Sequence, residues 1–188
     1  MINRNIYPWL AIAALLALEK HHVVEQNVAL ESRIEKTDNA FLSKLEQDVL
    51  EIIEKNPAII ANVSDCYGVS EQLRNKLIEK GYSATRPVGK YNRPGLNEGY
   101  NHAFVVVNTA SSPIIVDGAY LQFFYLDTVA GLPKVYVGTR ENLAKLFIEN
   151  RDRLHYGTER TMRETEGVTV VGTQDLHTFV MHLYDSSN

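Results

Sequence analysis

Apolar residues in the first half of the chain recur at the spacing of an α-helix. One helix is predicted to begin at Asp38 or Asn39, either of which suits an N-cap, and to stop at the Asn56-Pro57 pair. Its apolar positions are Phe41, Leu42, Leu45, Val49, Ile52 and Ile53. Another helix is predicted from Ser64-Asp65 to Gly81, and its apolar face carries Val69, Leu73 and Leu77.

Shorter apolar runs follow, separated by turn-forming residues. The runs His102–Val107 and Pro113–Asp117 predict two strands joined as a hairpin, and Lys134–Val137 predicts another strand. Ser83–Val88 has the composition of a further strand. Gly89–Gly99 is rich in glycine, asparagine and proline, and this composition predicts an exposed loop just before the hairpin.

The last third of the chain returns to helical spacing. Helices are predicted over Glu141–Asn150, with Thr139 as the cap, and over Gln174–Tyr184, with Thr173 as the cap. A strand is predicted between them at Val168–Val171. This order of elements is typical of an α+β fold, here with N-terminal helices packed on an antiparallel sheet.

The run Tyr7–Leu18 near the N-terminus is almost wholly apolar. It is too short to span a bilayer, because a membrane helix needs about 20 apolar residues. No pair of small residues suited to signal-peptide cleavage precedes Glu19, so a signal peptide is not expected. The run is therefore interpreted as a helix that packs against the rest of the protein.

Length and charge narrow the class of protein. A chain of 188 residues with 45% hydrophobic residues suits one globular domain, expected over 1–188, with a helical part over 1–60 and the core over 61–188. The formal net charge of −4 offers no basic surface for nucleic acid or an anionic membrane. The single cysteine excludes an internal disulfide.

That cysteine, Cys66, lies in the first turn of a predicted helix. Unpaired backbone N–H groups and the helix dipole favour an anion there, and they lower the pKa of a thiol. A cysteine that shares a helical stripe with Val69 and Leu73 is more often a small core residue, so packing remains the alternative reading of Cys66.

His102 and Asp117 lie at corresponding ends of the predicted hairpin. His102 opens one strand, where an imidazole can act as the general base for a thiol, and Asp117 ends the next strand, where a carboxylate can orient that imidazole. A capping histidine and an Asp-Gly turn are the alternatives for these two positions. Together with Cys66, the pair predicts a catalytic triad.

Zinc and other metal sites are not expected. The remaining histidines form neither an HExxH motif nor a pair spaced by four positions, and no Cys/His cluster is present. No glycine-rich phosphate loop is found either. We therefore expect no cofactor.

A cysteine at a helix start, a histidine that opens a strand and an aspartate that ends the next strand resemble the papain-like (transglutaminase-like) cysteine superfamily. The segment Val116–Phe123 is similar to the D-P-T-x-x-Q-F element of bacterial toxin and effector protein-glutamine deamidases, of the Pasteurella multocida toxin catalytic-domain type. Gly118-Ala119 stand here where that family has Pro-Thr, and no tryptophan follows His102. The resemblance covers about residues 60–125.

The resemblance implies a papain-like core and a cysteine-dependent acyl transfer on a protein carboxamide, with deamidation of glutamine favoured. Cys66 would be the nucleophile, His102 the base, Asp117 the orienting residue and Gln122 a side-chain contributor to the oxyanion hole. A cysteine protease or a transglutaminase with the same triad stays open, as does a non-catalytic binding protein that retains the fold. The expected partner is a protein substrate with a reactive glutamine or peptide bond. The sequence does not determine the compartment, and both the cytoplasm and secretion as a bacterial effector stay open.

Overall fold

A computed structural model of the protein describes residues 38–92, 99–109, 112–154 and 173–185. The predicted helix over 7–18 and the predicted strand over 168–171 lie outside these residues. Contacts divide the chain into two units at the Phe41–Leu42 junction, and the sheet with its packed helices belongs to Leu42–Asn188. The single domain expected over 1–188 stays a prediction.

Two helices in the first half of the described chain follow the predicted apolar pattern. Residues 38–55 are helical (α1), and the helix gives way at Asn56 to the 3-10 turn Pro57–Ile60. The helix α2 spans Cys66–Glu79. The apolar residues that these helices bury are Leu45, Val49, Ile52, Ile53, Val69, Leu73 and Leu77.

Local interactions fix both ends of α2. The Asp65 side chain accepts a hydrogen bond from the Gly68 N–H at 2.9 Å and so caps the first turn. At the other end Gly81 has a φ of +90°, and the Tyr82 N–H donates to the Leu77 carbonyl at 3.0 Å. This Schellman arrangement needs a residue that tolerates a left-handed backbone, which glycine does. The cap places Cys66 at the first position of the helix.

Two further helices lie in the C-terminal half. The helix α3 spans Arg140–Glu149, and the Thr139 side chain caps it by accepting from the Asn142 N–H. The helix α4 spans Thr173–Leu183. Both agree with the sequence pattern to within a residue at each end. In the part of the chain that the structure describes, no helix combines the length and the apolar character needed to cross a membrane.

The strands form a four-stranded antiparallel sheet and a separate two-stranded hairpin. The sheet has the order β1-β4-β5-β6, and the hairpin pairs β2 with β3. The strands are β1 (Ala84–Thr85), β2 (Val88–Asn92), β3 (Gly99–Ala103), β4 (Val105–Val107), β5 (Ile114–Asp117) and β6 (Tyr136–Gly138).

Two of the predicted elements differ in the structure. The loop expected over Gly89–Gly99 is wrong for Gly89–Asn92, which form strand β2 and place Gly89 opposite His102. The strand expected over His102–Val107 is interrupted at Phe104, whose N–H donates to the Pro87 carbonyl at 3.3 Å. The interruption lets the chain pair with β2 on one side of Phe104 and with β1 and β5 on the other.

Helices pack on both faces of the four-stranded sheet. On one face, residues of the sheet, α3 and α4 form a single hydrophobic cluster. It includes Val106, Ile115, Tyr136, Leu143, Phe147, Phe179 and Val180. The alternate strand positions Val105, Val107 and Val116 are buried as well, and α2 contacts β1 and β4. Because successive strand residues point to opposite faces, α2 covers the second face. The α+β class expected from the sequence is confirmed.

Candidate active site

Cys66 begins α2 and is 7% exposed. The sulfur interacts with the His102 side chain and with the backbone N–H of Ala103, the next residue in β3. Burial raises the pKa of the thiol, but the interactions with His102 and Ala103 outweigh it, so the pKa of Cys66 is lowered from its ordinary value. The structure therefore favours the thiolate, which is the nucleophilic form.

His102 is fully buried beside Cys66, in the middle of an aromatic shell. Its Nε2 lies 2.6 Å from Oδ2 of Asp117. The ring lies parallel to Phe104 with centroids 6.3 Å apart, and Phe123 meets it edge-on at 5.0 Å. These contacts fix the plane of the imidazole.

The electrostatic environment of His102 favours the protonated ring. Burial lowers the pKa of His102, but the charge and hydrogen bond of Asp117, together with Cys66, raise it to about 9. The pKa of the Cys66 thiol is lowered by the same partner, so both shifts favour a thiolate–imidazolium pair over a neutral thiol and a neutral imidazole. This is the protonation state from which a cysteine nucleophile acts.

Asp117 ends β5 and is 1% exposed, yet every polar atom of its side chain is satisfied. Oδ1 accepts from the Ala119 N–H at 2.8 Å, and Oδ2 accepts from both His102 and the hydroxyl of Tyr184, each at 2.6 Å. A buried carboxylate is tolerated when donors replace its hydration, and this one has three. The predicted proximity of His102 and Asp117 is confirmed, but the predicted position of His102 at the start of a strand is wrong, because His102 lies inside β3, which pairs with β2.

Gln122 lies in the 3-10 turn Tyr120–Phe123, directly after Asp117 in the fold, and its carboxamide reaches His102. Its Nε2 is 2.5 Å from His102 Nδ1, the ring nitrogen that does not contact Asp117. A carboxamide presents an NH₂ group and an oxygen of nearly the same shape. Turned one way it donates to the neutral ring, and turned the other way it accepts from the protonated ring.

The structure thus brings together the four residues predicted for the site, Cys66, His102, Asp117 and Gln122. Two further contributors were missed. The Ala103 N–H could not be assigned, because a backbone donor has no sequence signature. Tyr184 lies at the far end of the chain, where the sequence pattern showed only a helix.

Gly118 explains how α2 comes close enough to place the sulfur. A Cβ built on Gly118 would lie 2.8 Å from Cγ1 of Val69, 2.9 Å from Cδ1 of Leu73 and 3.1 Å from Cγ2 of Ile60. Any larger residue would therefore push α2 away from the end of β5. Gly118 accordingly has a packing role in this chain.

No family model, curated protein or solved structure matches this chain. Among residues 38–92, 99–109, 112–154 and 173–185, no group of three or more His, Cys, Asp or Glu side chains is placed to hold a metal ion. The chemistry of the site has to be argued from its own geometry.

Proposed function

We propose that the protein is a cysteine-dependent acyl-transfer enzyme with Cys66 as nucleophile, His102 as general base and acid, and Asp117 as the residue that orients His102. The observation that carries the proposal is the buried Cys66 thiol beside His102, whose Nε2 lies 2.6 Å from Oδ2 of the buried Asp117 carboxylate. A cysteine that serves only for packing does not require a buried histidine–aspartate pair such as His102 and Asp117 next to it. A buried ion pair with no role beyond packing also adds little stability on average.

The proposed reaction begins with attack of the Cys66 thiolate on the carbonyl carbon of a carboxamide. The tetrahedral oxyanion is held by the backbone N–H of Cys66 at the start of α2 and by the Gln122 amide. His102 gives its Nδ1 proton to the departing nitrogen as the C–N bond breaks, which releases ammonia and leaves a thioester. His102 then takes a proton from water, which hydrolyses the thioester to a carboxylic acid and restores the thiolate.

A glutamine side chain is the favoured carboxamide. Only 7% of Cys66 is exposed, so a substrate group has to enter a narrow opening to reach the sulfur. A side-chain amide on a flexible stem can enter end-on, whereas a peptide bond needs an open groove for the chain on both sides. This argument supports deamidation over proteolysis. A papain-like core is supported by a separate observation, since α2 begins at Cys66 and contacts β1 and β4 of the antiparallel sheet.

The first test is the rate of Cys66 alkylation by iodoacetamide as a function of pH. We expect the acid limb of the wild-type profile to lie below the ~8.5 of a free cysteine, because the pKa of Cys66 is lowered. In His102→Ala the thiol stays buried and the ring is lost, so the acid limb should move to ~8.5 or above, and the rate at pH 6 should fall about tenfold for each pH unit that the limb moves. His182→Ala, at an exposed histidine of α4, is the control.

If Cys66 is alkylated slowly, and at the same rate in the wild type and in His102→Ala, then Cys66 is a core residue and the protein is at most a binding protein. If the thiol is reactive, the products define the reaction. Ammonia release from a glutamine-containing dipeptide, lost in Cys66→Ala, supports the deamidase. New amino termini would indicate a protease, and incorporation of a fluorescent primary amine would indicate a transglutaminase.

A further inference from the structure

Tyr184 donates a hydrogen bond directly to the carboxylate of the proposed triad. Its hydroxyl lies 2.6 Å from Oδ2 of Asp117, the same oxygen that His102 Nε2 approaches at 2.6 Å. The Tyr184 ring is 2% exposed and meets the His102 ring edge-on, with centroids 5.3 Å apart. One side chain therefore contacts two members of the triad.

Packing alone does not require this direction of the hydroxyl. Two other buried tyrosines, Tyr120 and Tyr136, satisfy their hydroxyls with the backbone carbonyls of Pro133 and Thr139. Tyr184 instead donates to the buried charge. Burial, followed by the charge of Asp117, raises the pKa of Tyr184 well above its ordinary value, so the hydroxyl keeps its proton and remains a donor over the whole working range of pH.

The backbone around Tyr184 is anchored from two sides. The carbonyl of Leu183 lies so close to Gly89 in β2 that a Cβ at Gly89 would overlap it. On the other side Arg140, at the start of α3, donates to the carbonyl of Met181 at 3.0 Å and lies 3.8 Å from the Asp185 carboxylate. The end of α4 is thus held against the strand that pairs with His102.

We propose that Tyr184 is a positioning residue that holds the Asp117 carboxylate in place and divides its charge between two donors, so that the strength of the Asp117–His102 bond is set by Tyr184. This inference rests on the proposed function. The titratable groups that act on one another here are Cys66 of α2, His102 of β3, Asp117 of β5, Tyr120 of the 3-10 turn, and Tyr184.

The test measures the pKa of His102 from its ring ¹⁵N shifts in the full chain, with the signal assigned by the His102→Ala variant. In Tyr184→Phe the ring stays and only the donor is lost. Asp117 then acts on His102 alone, and the pKa of His102 should rise by roughly 0.5 to 1. Incorporation of 3-fluorotyrosine at position 184 strengthens the donor and should lower the pKa of His102. Shifts of opposite sign cannot arise from loosened packing.

Tyr136→Phe is the matched control, because it also removes one buried tyrosine hydroxyl with a 2.6 Å hydrogen bond. It should lower stability about as much as Tyr184→Phe and leave the pKa of His102 unchanged. Equal pKa values of His102 in the wild type and both Tyr184 variants would overturn the inference while the proposed function stands. If Cys66 is alkylated at the same rate in the wild type and in His102→Ala, the proposed function is overturned. The positioning role of Tyr184 is then overturned with it.

Discussion

The carboxamide of Gln122 contacts His102 at the ring nitrogen that would pass the proton in the proposed reaction. The Gln122 Nε2 lies 2.5 Å from Nδ1 of His102. The resemblance had implied an oxyanion contact for this residue. The observed contact is compatible with that role, since a side chain that reaches Nδ1 also borders the carbon that Cys66 attacks. The Gln122 amide thus has two candidate partners in the proposed reaction, the His102 ring and the oxyanion.

Replacement of Gln122 by methionine separates the two roles. Methionine keeps the length of the side chain and removes both polar ends. We expect turnover of a glutamine substrate to fall about 10²-fold, because one donor to the oxyanion is lost. Alkylation by iodoacetamide passes through no oxyanion, so its pH profile should change little. Gln72→Met, at an exposed position of α2, is the control. A shifted alkylation profile with normal turnover would assign Gln122 to His102 alone.

At the scale of elements, the position of the sulfur depends on how closely α2 approaches the end of β5. Asp65 and Gly81 fix where α2 begins and ends, but they do not fix its distance from the sheet. That distance is set at Gly118, where the side chains of Val69 and Leu73 occupy the space that a Cβ would need. The position of Cys66 thus depends on the apolar contact of Val69 and Leu73 in α2 with Gly118, which follows β5.

Gly118→Ala should therefore affect both stability and reactivity. We expect a loss of about 1–3 kcal/mol in the free energy of unfolding, from overpacking against α2. We also expect slower alkylation of Cys66 near neutral pH, because the helix moves away from His102. Gly81→Ala is the control, since its φ of +90° gives strain of roughly 1 kcal/mol with no atom within 4 Å of the new methyl group. Both variants should unfold at a lower urea concentration than the wild type. An alkylation rate of Cys66 that falls equally in both variants would contradict the role of Gly118.

At the scale of the whole molecule, a surface network joins α1 to the far end of α2. Asp48 accepts from Lys44 at 2.5 Å, from Lys80 at 2.9 Å and from the Tyr82 hydroxyl at 2.5 Å. The bonds from Lys44, Tyr82 and Lys80, in that order, lower the pKa of Asp48 against the effect of burial. The network holds α1 beside the end of α2 that is remote from Cys66.

The network gives stability a defined dependence on pH. The folded pKa of Asp48 lies below the ~3.9 of an unfolded aspartate. Its contribution is therefore present above about pH 4 and is lost as the pH falls toward the folded pKa. Asp48→Asn should lower the free energy of unfolding at pH 7 by no more than about 1 kcal/mol, because the network lies at the surface. The gap between variant and wild type should narrow at pH 3.

Urea unfolding at the two pH values measures this gap. Glu54→Gln makes the same change of charge on the exposed face of α1 and should leave stability almost unchanged at both pH values. A gap for Asp48→Asn that is equal at pH 7 and pH 3 would show that ionisation of Asp48 does not contribute. The alkylation profile of Cys66 should be unaffected in both variants.

The sequence by itself determined the parts of the fold that local interactions define. Asp65 and Thr139 cap the starts of α2 and α3 through hydrogen bonds to residues three positions away. Gly81 ends α2 because it adopts the left-handed backbone conformation that the helix end needs, which is also a local property. Cys66 and Asp117 could be selected because the first position of a helix and the end of a strand follow from the same local patterns. His102 was selected as the start of a strand that pairs with the strand of Asp117, but it lies inside β3, which pairs with β2, so its approach to Asp117 was decided by tertiary structure.

Tertiary structure alone decided the remaining features, because each depends on residues remote in sequence. Gly89 belongs to a strand rather than a loop, and it lies against the carbonyl of Leu183. Phe104 interrupts a continuous apolar run, where its N–H bonds to Pro87. Tyr184 reaches Asp117 across most of the C-terminal half of the chain. Periodicity and capping describe neighbours along the chain, whereas these three contacts are set by packing between elements.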